Sequence, residues 1–324
     1  STDAEPGTET RKIGDLYASF MDTDAIEERG ADAVAPQLAL VDRVTGIPSF
    51  LSTAGSLERE GVPGVFGTYI EPDPGNPQRY VMFLVQGGLS LPDESYYRLD
   101  NFEKTRTAFR AYVAKVFALA GVDDPEGQAD RVVALETELA SHHWDNVRSR
   151  DAVATYNLMS WDAAVQLTGV DLAPWRDAVA AGKTGVIEEV DVNQPSFFEG
   201  LGTLLVEGRL EDWKAWLRLQ VIRSSAPFLS QAFVDANFAF YGTEMTGVPV
   251  NRERWKRGVS LVEAALGEAV GKVYVERHFP PRAKEEMDVL VDNLIEAYRQ
   301  SISSLEWMTP ATRERALEKL EAFT

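Results

Sequence analysis

The stretch AKEEMDVLVDNLIEAYRQSISSL, residues 283–305, sets Ala283, Met287, Leu290, Val291, Leu294, Tyr298, Ile302 and Leu305 at helical spacing, in steps of three or four apart from the adjacent pair Leu290-Val291. That spacing puts all eight on one face of a long α-helix. Upstream, Trp255, Val259, Val262, Leu266, Val270 and Val273 draw a second stripe of the same kind. Pro280-Pro281 between them forces a reversal, because proline supplies no amide for a helix to continue. Downstream, Thr309-Pro310 reads as an N-cap followed by proline at the first helical position, which opens a last helix.

The same periodicity recurs towards the N-terminus. Phe109, Tyr112, Val113, Val116 and Phe117 mark one face, Val132, Leu135 and Leu139 another, and Trp213, Trp216, Leu217 and Val221 a third. All of these stripes are expected to face a core. Residues 12–29 are predicted to be a first helix, with Ile13, Leu16, Tyr17, Phe20 and Met21 at helical spacing and Gly30 as its stop. Residues 33–44 and 49–61 are predicted to be two more, the latter capped by Ser49. The β signal is confined to Val65–Glu71 and Arg79–Gln86. Pro72-Asp73-Pro74-Gly75-Asn76-Pro77 between them cannot continue a strand, so a hairpin with a long loop is expected at about 65–86. The fold class is therefore mainly α. Charges cluster at Asp145, Arg148, Arg150 and Asp151, which suggests a boundary near 145–156 between a mixed unit, 1–150, and a helical unit, 151–324.

Composition narrows the function. Two units fit 324 residues at the usual ~100–200 residues per domain. Acidic residues number 51 against 32 basic, a formal net charge of -19. Nucleic-acid binding needs a basic face that releases counterions from phosphate, so that class is excluded, and an anionic membrane surface would repel the chain. No apolar run approaches the ~18–20 residues of a membrane span. The acidic start, Ser1 to Gly7, is unlike a signal peptide. Cysteine is absent, which removes disulfides and thiolate metal sites but fixes no compartment: a soluble bacterial protein, cytoplasmic or secreted, fits equally.

No catalytic constellation emerges. His142 and His143 are adjacent, so on a helix they diverge by about 100° and cannot share a metal. Glu138 and His142 have the i, i+4 spacing of helical zinc ligands, but a surface hydrogen bond satisfies that spacing as well. His278 ends a helix, where positive charge favours the dipole. His-Glu-x-x-His, Gly-x-Ser-x-Gly and the phosphate-loop signature do not occur. Asn237-Phe238-Ala239-Phe240-Tyr241-Gly242 is an aromatic cluster, readable as a ligand box or a packed helix end. Gly182, Gly185, Gly200 and Gly202 suggest a flexible loop over 182–202. No residue is assigned as catalytic or metal-binding, and the substrate-binding residues are unknown.

Five ordered segments carry a resemblance. Ile13-Gly14-Asp15-Leu16-Tyr17 through Asp22, Gly88-Leu89-Ser90-Leu91-Pro92 through Tyr96-Tyr97, and Glu136–Leu139 with Arg150-Asp151 and Tyr156–Met159 come first. Tyr274–Phe279 with Lys284, and Leu305-Glu306-Trp307-Met308-Thr309 with Thr312, Ala316 and Lys319, complete the set. Together they resemble the neprilysin family of zinc metallopeptidases, which includes endothelin-converting enzymes and bacterial endopeptidases. The chain is most similar to its Cys-free actinobacterial branch. The resemblance implies a catalytic lobe facing a multi-helical lid, with 1–150 an incomplete first lobe of helices and one hairpin, and 151–324 the lid. It implies zinc in the full-length parent and oligopeptide substrates. In the family, an Asn-Ala-aromatic-Tyr strand, His-Glu-x-x-His and a downstream glutamate follow the Trp-Met helix. The sequence ends at Phe323-Thr324 ahead of them, and its first residues read as a cut start. The expectation is a non-catalytic N-terminal portion that binds no zinc alone and cleaves nothing. Its expected partner is the C-terminal catalytic half, and its exposed apolar surface would promote dimers. The alternative is a stand-alone helical module that binds peptides or proteins without cutting them.

Overall fold

In a computed structural model the chain is described at residues 3–183, 185 and 187–323. Ser1, Thr2, Thr184, Val186 and Thr324 lie outside the described residues, and with them part of the 182–202 loop reading and both chain ends. In chain order, α1 (Glu9–Met21), α2 (Thr23–Arg29), α3 (Ala35–Asp42) and α4 (Ile47–Glu58) precede a hairpin of β1 (Gly67–Asp73) and β2 (Asn76–Val85). Next come α5 (Ser95–Arg98), α6 (Glu103–Leu119), α7 (Pro125–Ser141) and β3 (Leu158–Ser160). They are followed by α8 (Trp161–Thr168), α9 (Ala173–Val179), β4 (Glu189–Val192), α10 (Pro195–Leu204) and α11 (Leu210–Ser225). α12 (Gln231–Asn237) runs into a π-helical turn, Phe238–Glu244. α13 (Arg254–His278), α14 (Pro281–Ser304) and α15 (Pro310–Glu321) close the chain. The fold is mainly α, as the periodicity required.

The chain divides into two compact units, Asp22–Asn251 and Ser1–Met21 with Arg252–Thr324. In the first, Trp175, Trp213, Trp216, Phe50, Phe66, Phe109, Phe117, Phe197 and Phe198 are almost wholly buried. The stripes on α6, α7 and α11 face this core as their spacing predicted. A four-stranded sheet, order β1-β2-β4-β3, lies in the same unit. β2 pairs with β4 in parallel, Phe83 opposite Asp191, and β3 pairs with β4 antiparallel. The charged segment 145–156 therefore runs between sequence stretches joined in one sheet.

Local chemistry explains where the sequence reading and the structure differ. The predicted helix 12–29 is two helices, because the Asp22 carboxylate accepts from the Ala25 amide at 3.2 Å and starts α2 afresh. α4 begins at Ile47 rather than at Ser49. The Ser49 hydroxyl instead reaches back to the Gly46 amide at 3.1 Å, and Glu207 accepts from the Ile47 amide at 2.9 Å. The expected long hairpin loop is a tight turn. Asp73 pairs with Asn76, and the Asp73 carboxylate accepts from the Gly75 amide at 2.8 Å. The short strands β3 and β4 carried too few residues to register as β signal.

The 182–202 loop reading fails at its C-terminal part, since 189–192 is β4 and 195–204 is α10. Gly200 and Gly202 provide close approach instead of freedom. A Cβ on Gly202 would run into the Thr168 carbonyl oxygen, and one on Gly200 into the His142 ring. Gly202→Ala must therefore push α10 off the end of α8. It is expected to cost about 2–3 kcal/mol, the scale of overpacking, measured as a lower urea midpoint at constant m.

In the second unit α1 packs on α13. Gly258 lets Phe20 and Tyr17 approach, and the Arg254 guanidinium donates to the Phe20 carbonyl at 2.7 and 2.9 Å. α14 and α15 form a hairpin clasped by Arg313, which donates to the Ile302 and Leu305 carbonyls. Here the expectation of core-facing stripes is corrected. Met287, Leu290, Val291, Leu294 and Tyr298 are 45–61% exposed, α14 has no buried residue, and Trp307 is 74% exposed. The amphipathic pattern is real, but α15 covers the stripe only in part and leaves it about half exposed. No helix of the described residues is long and apolar enough to cross a membrane.

Candidate functional site

The segment Gln86–Leu91 leaves β2 and crosses the core without regular structure, so its backbone polar groups need partners from elsewhere. Gly88 has φ of 82°, and a Cβ on Gly87 would meet the Gly67 amide and the Phe66 backbone. Only glycine pairs such as this allow that path. The Gln86 amide donates to Gln194 at 2.9 Å, and the Gln86 side chain exchanges hydrogen bonds with the Trp144 backbone. His143 Nε2 donates to the Gly87 carbonyl at 2.9 Å, and Trp216 Nε1 to the Gly88 carbonyl at 2.8 Å.

Glu136 terminates this clamp. Its carboxylate is fully buried and accepts from the Ser90 amide at 3.0 Å, the Ser90 hydroxyl at 2.7 Å and the Tyr97 hydroxyl at 2.5 Å. Burial raises the Glu136 carboxyl above the usual range, while the Tyr97 and Ser90 hydrogen bonds and the nearby Arg223 charge pull the other way. Burial, with the Glu136 charge beside it, pushes the Tyr97 hydroxyl well up. A second layer follows. Gln220 donates to Ser90 Oγ at 3.3 Å, Arg223 donates to Gln220 at 2.7 Å and to Tyr241 at 3.4 Å, and Tyr241 donates to the Ser90 carbonyl at 3.3 Å. Three donors hold a carboxylate that is shut off from solvent, two on one oxygen and one on the other. The cluster holds the Ser90 backbone in place.

The aromatic cluster 237–242 forms the wall of this network. Phe240 is buried and stacks on Tyr112 at 5.2 Å, and Asn237 accepts from the Tyr112 hydroxyl at 3.1 Å. The Gly242 position lets the Phe238 ring fold back over the turn. Of the two readings of this cluster, the structure has the packed helix end.

The histidines do not converge. His142 caps α7 against Gly200, while His143 turns inward, edge-on to Phe197 at 4.8 Å. Burial lowers the His143 imidazole to about 4, so the ring is neutral. Glu138 pairs with Arg209, which holds its carboxyl below the usual range, with a smaller contribution from His142. His278 lies in the last turn of α13 beside Tyr274. Among the described residues, no group of three or more His, Asp or Glu side chains comes together to hold a metal ion. At the sheet, Asp73 is buried and binds Arg79, Tyr156 and Gly75, and Arg79 also reaches Glu189. Asp191 accepts from the Asn157 amide at 2.7 Å, and its other oxygen has no partner.

Sequence reasoning missed Ser90, Gln220, Arg223 and Tyr241 as one network. A signal was there to read: Glu136 sits four residues after Val132 and three before Leu139, on the apolar stripe of α7. A carboxylate on a core-facing stripe must be buried and paired.

Known proteins with this fold are long. The zinc metalloprotease Zmp1 of Mycobacterium tuberculosis, solved in an open state, matches at TM-score 0.89 and 44% identity, over 99% of this chain and 50% of that one. A putative zinc metalloproteinase of Streptococcus gordonii is 25% identical over 304 residues, 92% of this chain and 53% of its own length. Human endothelin-converting enzyme 1 is 28% identical over 272 residues, 80% of this chain and 34% of its own length. The chain thus spans about half the length, or less, of these relatives. The model of peptidase family M13, in its N-terminal part, matches residues 1–324. The chain belongs to peptidase family M13, of which it is a neprilysin-like N-terminal portion.

Proposed function

We propose that this chain is the front portion and substrate-restricting lid of a zinc-dependent endopeptidase that cleaves oligopeptides. The zinc ligands would come from the C-terminal catalytic half of the same protein. The observation that carries the reading is the half-exposed apolar face of α14, together with Trp307. Five half-exposed large side chains in one stripe are costly in a finished protein and ordinary on a surface awaiting its other half.

The residues present do not fit a zinc site. The sequence holds no helical ligand pair of the His-Glu-x-x-His kind, and the histidines stand apart. Zinc in the catalytic half would polarise a scissile carbonyl and activate water. This chain's contribution is exclusion and sequestration, achieved by a rigid helical body that keeps folded proteins and bulk water from the reaction. We assign the lid to the compact unit Asp22–Asn251 and not to 151–324, since pairing of β2 with β4 spans the 145–156 segment. The helices of the other unit would meet the catalytic half.

The double variant Leu294→Glu with Tyr298→Lys tests this. In the 324-residue chain it should change stability by no more than about 0.5 kcal/mol, as for exposed sites. In the full-length parent it should cost several kcal/mol and most peptidase activity. Equal effects in both, large or negligible, would remove the support. The isolated chain should also bind a hydrophobic dye and self-associate, and sedimentation as a dye-silent monomer would contradict the reading.

A further inference from the structure

The strand order leaves one side of β1 without a strand neighbour among the described residues. β1 runs antiparallel to β2 from Gly67 opposite Val85 to Pro72 opposite Tyr80, and the register slips between Pro72 and Asp73. The regular free edge is thus Gly67–Glu71, five residues of backbone with one row of polar groups unpaired. Pro72 lacks an amide and ends it.

The two faces beside this edge differ. On one, Ile70 is 62% exposed and Tyr80, on the neighbouring strand, 74%. On the other, Tyr69 lies flat on Phe83 at 4.7 Å, with Glu71 two residues on. The pairing puts Glu71, Val81 and Glu189 in one row, and Tyr69, Phe83 and Asp191 in the next. Arg79 is held by Asp73 and Glu189, and no described cation pairs with Glu71. One face is therefore apolar around Ile70 and Tyr80, with Thr68 bonded to the Glu58 carboxylate at its start, and the other is aromatic with excess negative charge.

We propose that the free edge of β1 captures an extended cationic oligopeptide by strand addition. Backbone hydrogen bonds run along Gly67–Glu71, apolar side chains lie beside Ile70 and Tyr80, and basic ones beside Tyr69 and Glu71. A second copy of this chain is the competing occupant. A second copy pairing through β1 would bring its own Glu71 and acidic face against these, whereas a basic peptide complements them. The short edge also suits an oligopeptide better than an open-ended strand stack. The choice of an oligopeptide rests on the peptidase reading; the edge and its charge do not.

The test is fluorescence anisotropy of a labelled peptide of alternating lysine and valine with the 324-residue chain. Two further peptides carry N-methyl groups on alternate amides, one set for each edge of the peptide. Only one of them should lose affinity, by about tenfold, because only one row of amides faces β1. Glu71→Lys should weaken the lysine peptide by about five- to tenfold. The same variant should strengthen a glutamate–valine peptide. Equal binding of both methylated peptides, or indifference to Glu71→Lys, would overturn the proposal, as would displacement of the peptide by a dimer that forms through β1. The assay needs neither zinc nor cleavage, so its failure leaves the peptidase reading standing. Loss of that reading would in turn leave a positive binding result intact.

Discussion

Replacing Glu136 by alanine is expected to destabilise the chain by about 4 kcal/mol, the scale of breaking one partner out of a buried charged network. The reason is what stays behind. The Ser90 amide, the Ser90 hydroxyl and the Tyr97 hydroxyl all lose their acceptor inside a core that water does not reach. Arg223 loses the nearby negative charge that offsets its own burial. Glu136→Gln keeps the volume but turns an amide N–H towards at least one of those donors, and should cost about half as much. Urea unfolding measures both, with m unchanged if the unfolded state is unaffected. A loss below about 1 kcal/mol for Glu136→Ala would mean that the clamp on Gln86–Leu91 is held by Trp216 and His143 without the carboxylate.

His143 makes the second large effect, and it depends on pH. Burial holds the folded imidazole near 4 against 6.5 for an unhindered ring. Below pH 6.5 the unfolded chain takes up a proton that the folded chain refuses, so stability falls as pH drops from 6.5 towards 4. The gap corresponds to about 3 kcal/mol, fully present above pH 6.5 and lost near pH 4. Glu58, Glu136 and Asp191 act in the opposite sense. Burial raises their carboxyls, so they favour the folded state on acidification. The comparison must therefore be differential. His143→Gln can still donate to the Gly87 carbonyl yet cannot titrate. Relative to the wild type it should gain about 3 kcal/mol between pH 7 and pH 4. Parallel pH profiles for the two proteins would show that the ring is solvated.

Helix stripes were legible because burial demands them. α6, α7 and α11 follow from residue spacing alone, and so does α14, whose face remains half exposed. The hairpin was legible from its β-branched and aromatic runs, although its turn is tighter than six consecutive turn-formers suggested. What sequence could not supply was pairing at a distance. β4 is four residues long, and only its pairing with β2 and β3 makes it a strand. Gly200 and Gly202 look like flexibility until the neighbours that exclude a side chain, His142 and Thr168, are seen. The Glu136 network follows the same pattern. A carboxylate on the α7 stripe announced a buried charge, whereas its partners are 39 and 46 residues away along the chain.

The most direct measurement is the zinc content and peptidase activity of the purified 324-residue chain after dialysis against micromolar zinc. Less than a tenth of an equivalent of tightly held metal, with an oligopeptide left uncut, is the predicted outcome, whereas the full-length parent should hold one equivalent and cleave. One equivalent of chelator-resistant zinc on this chain alone, with hydrolysis of the peptide, would contradict the account.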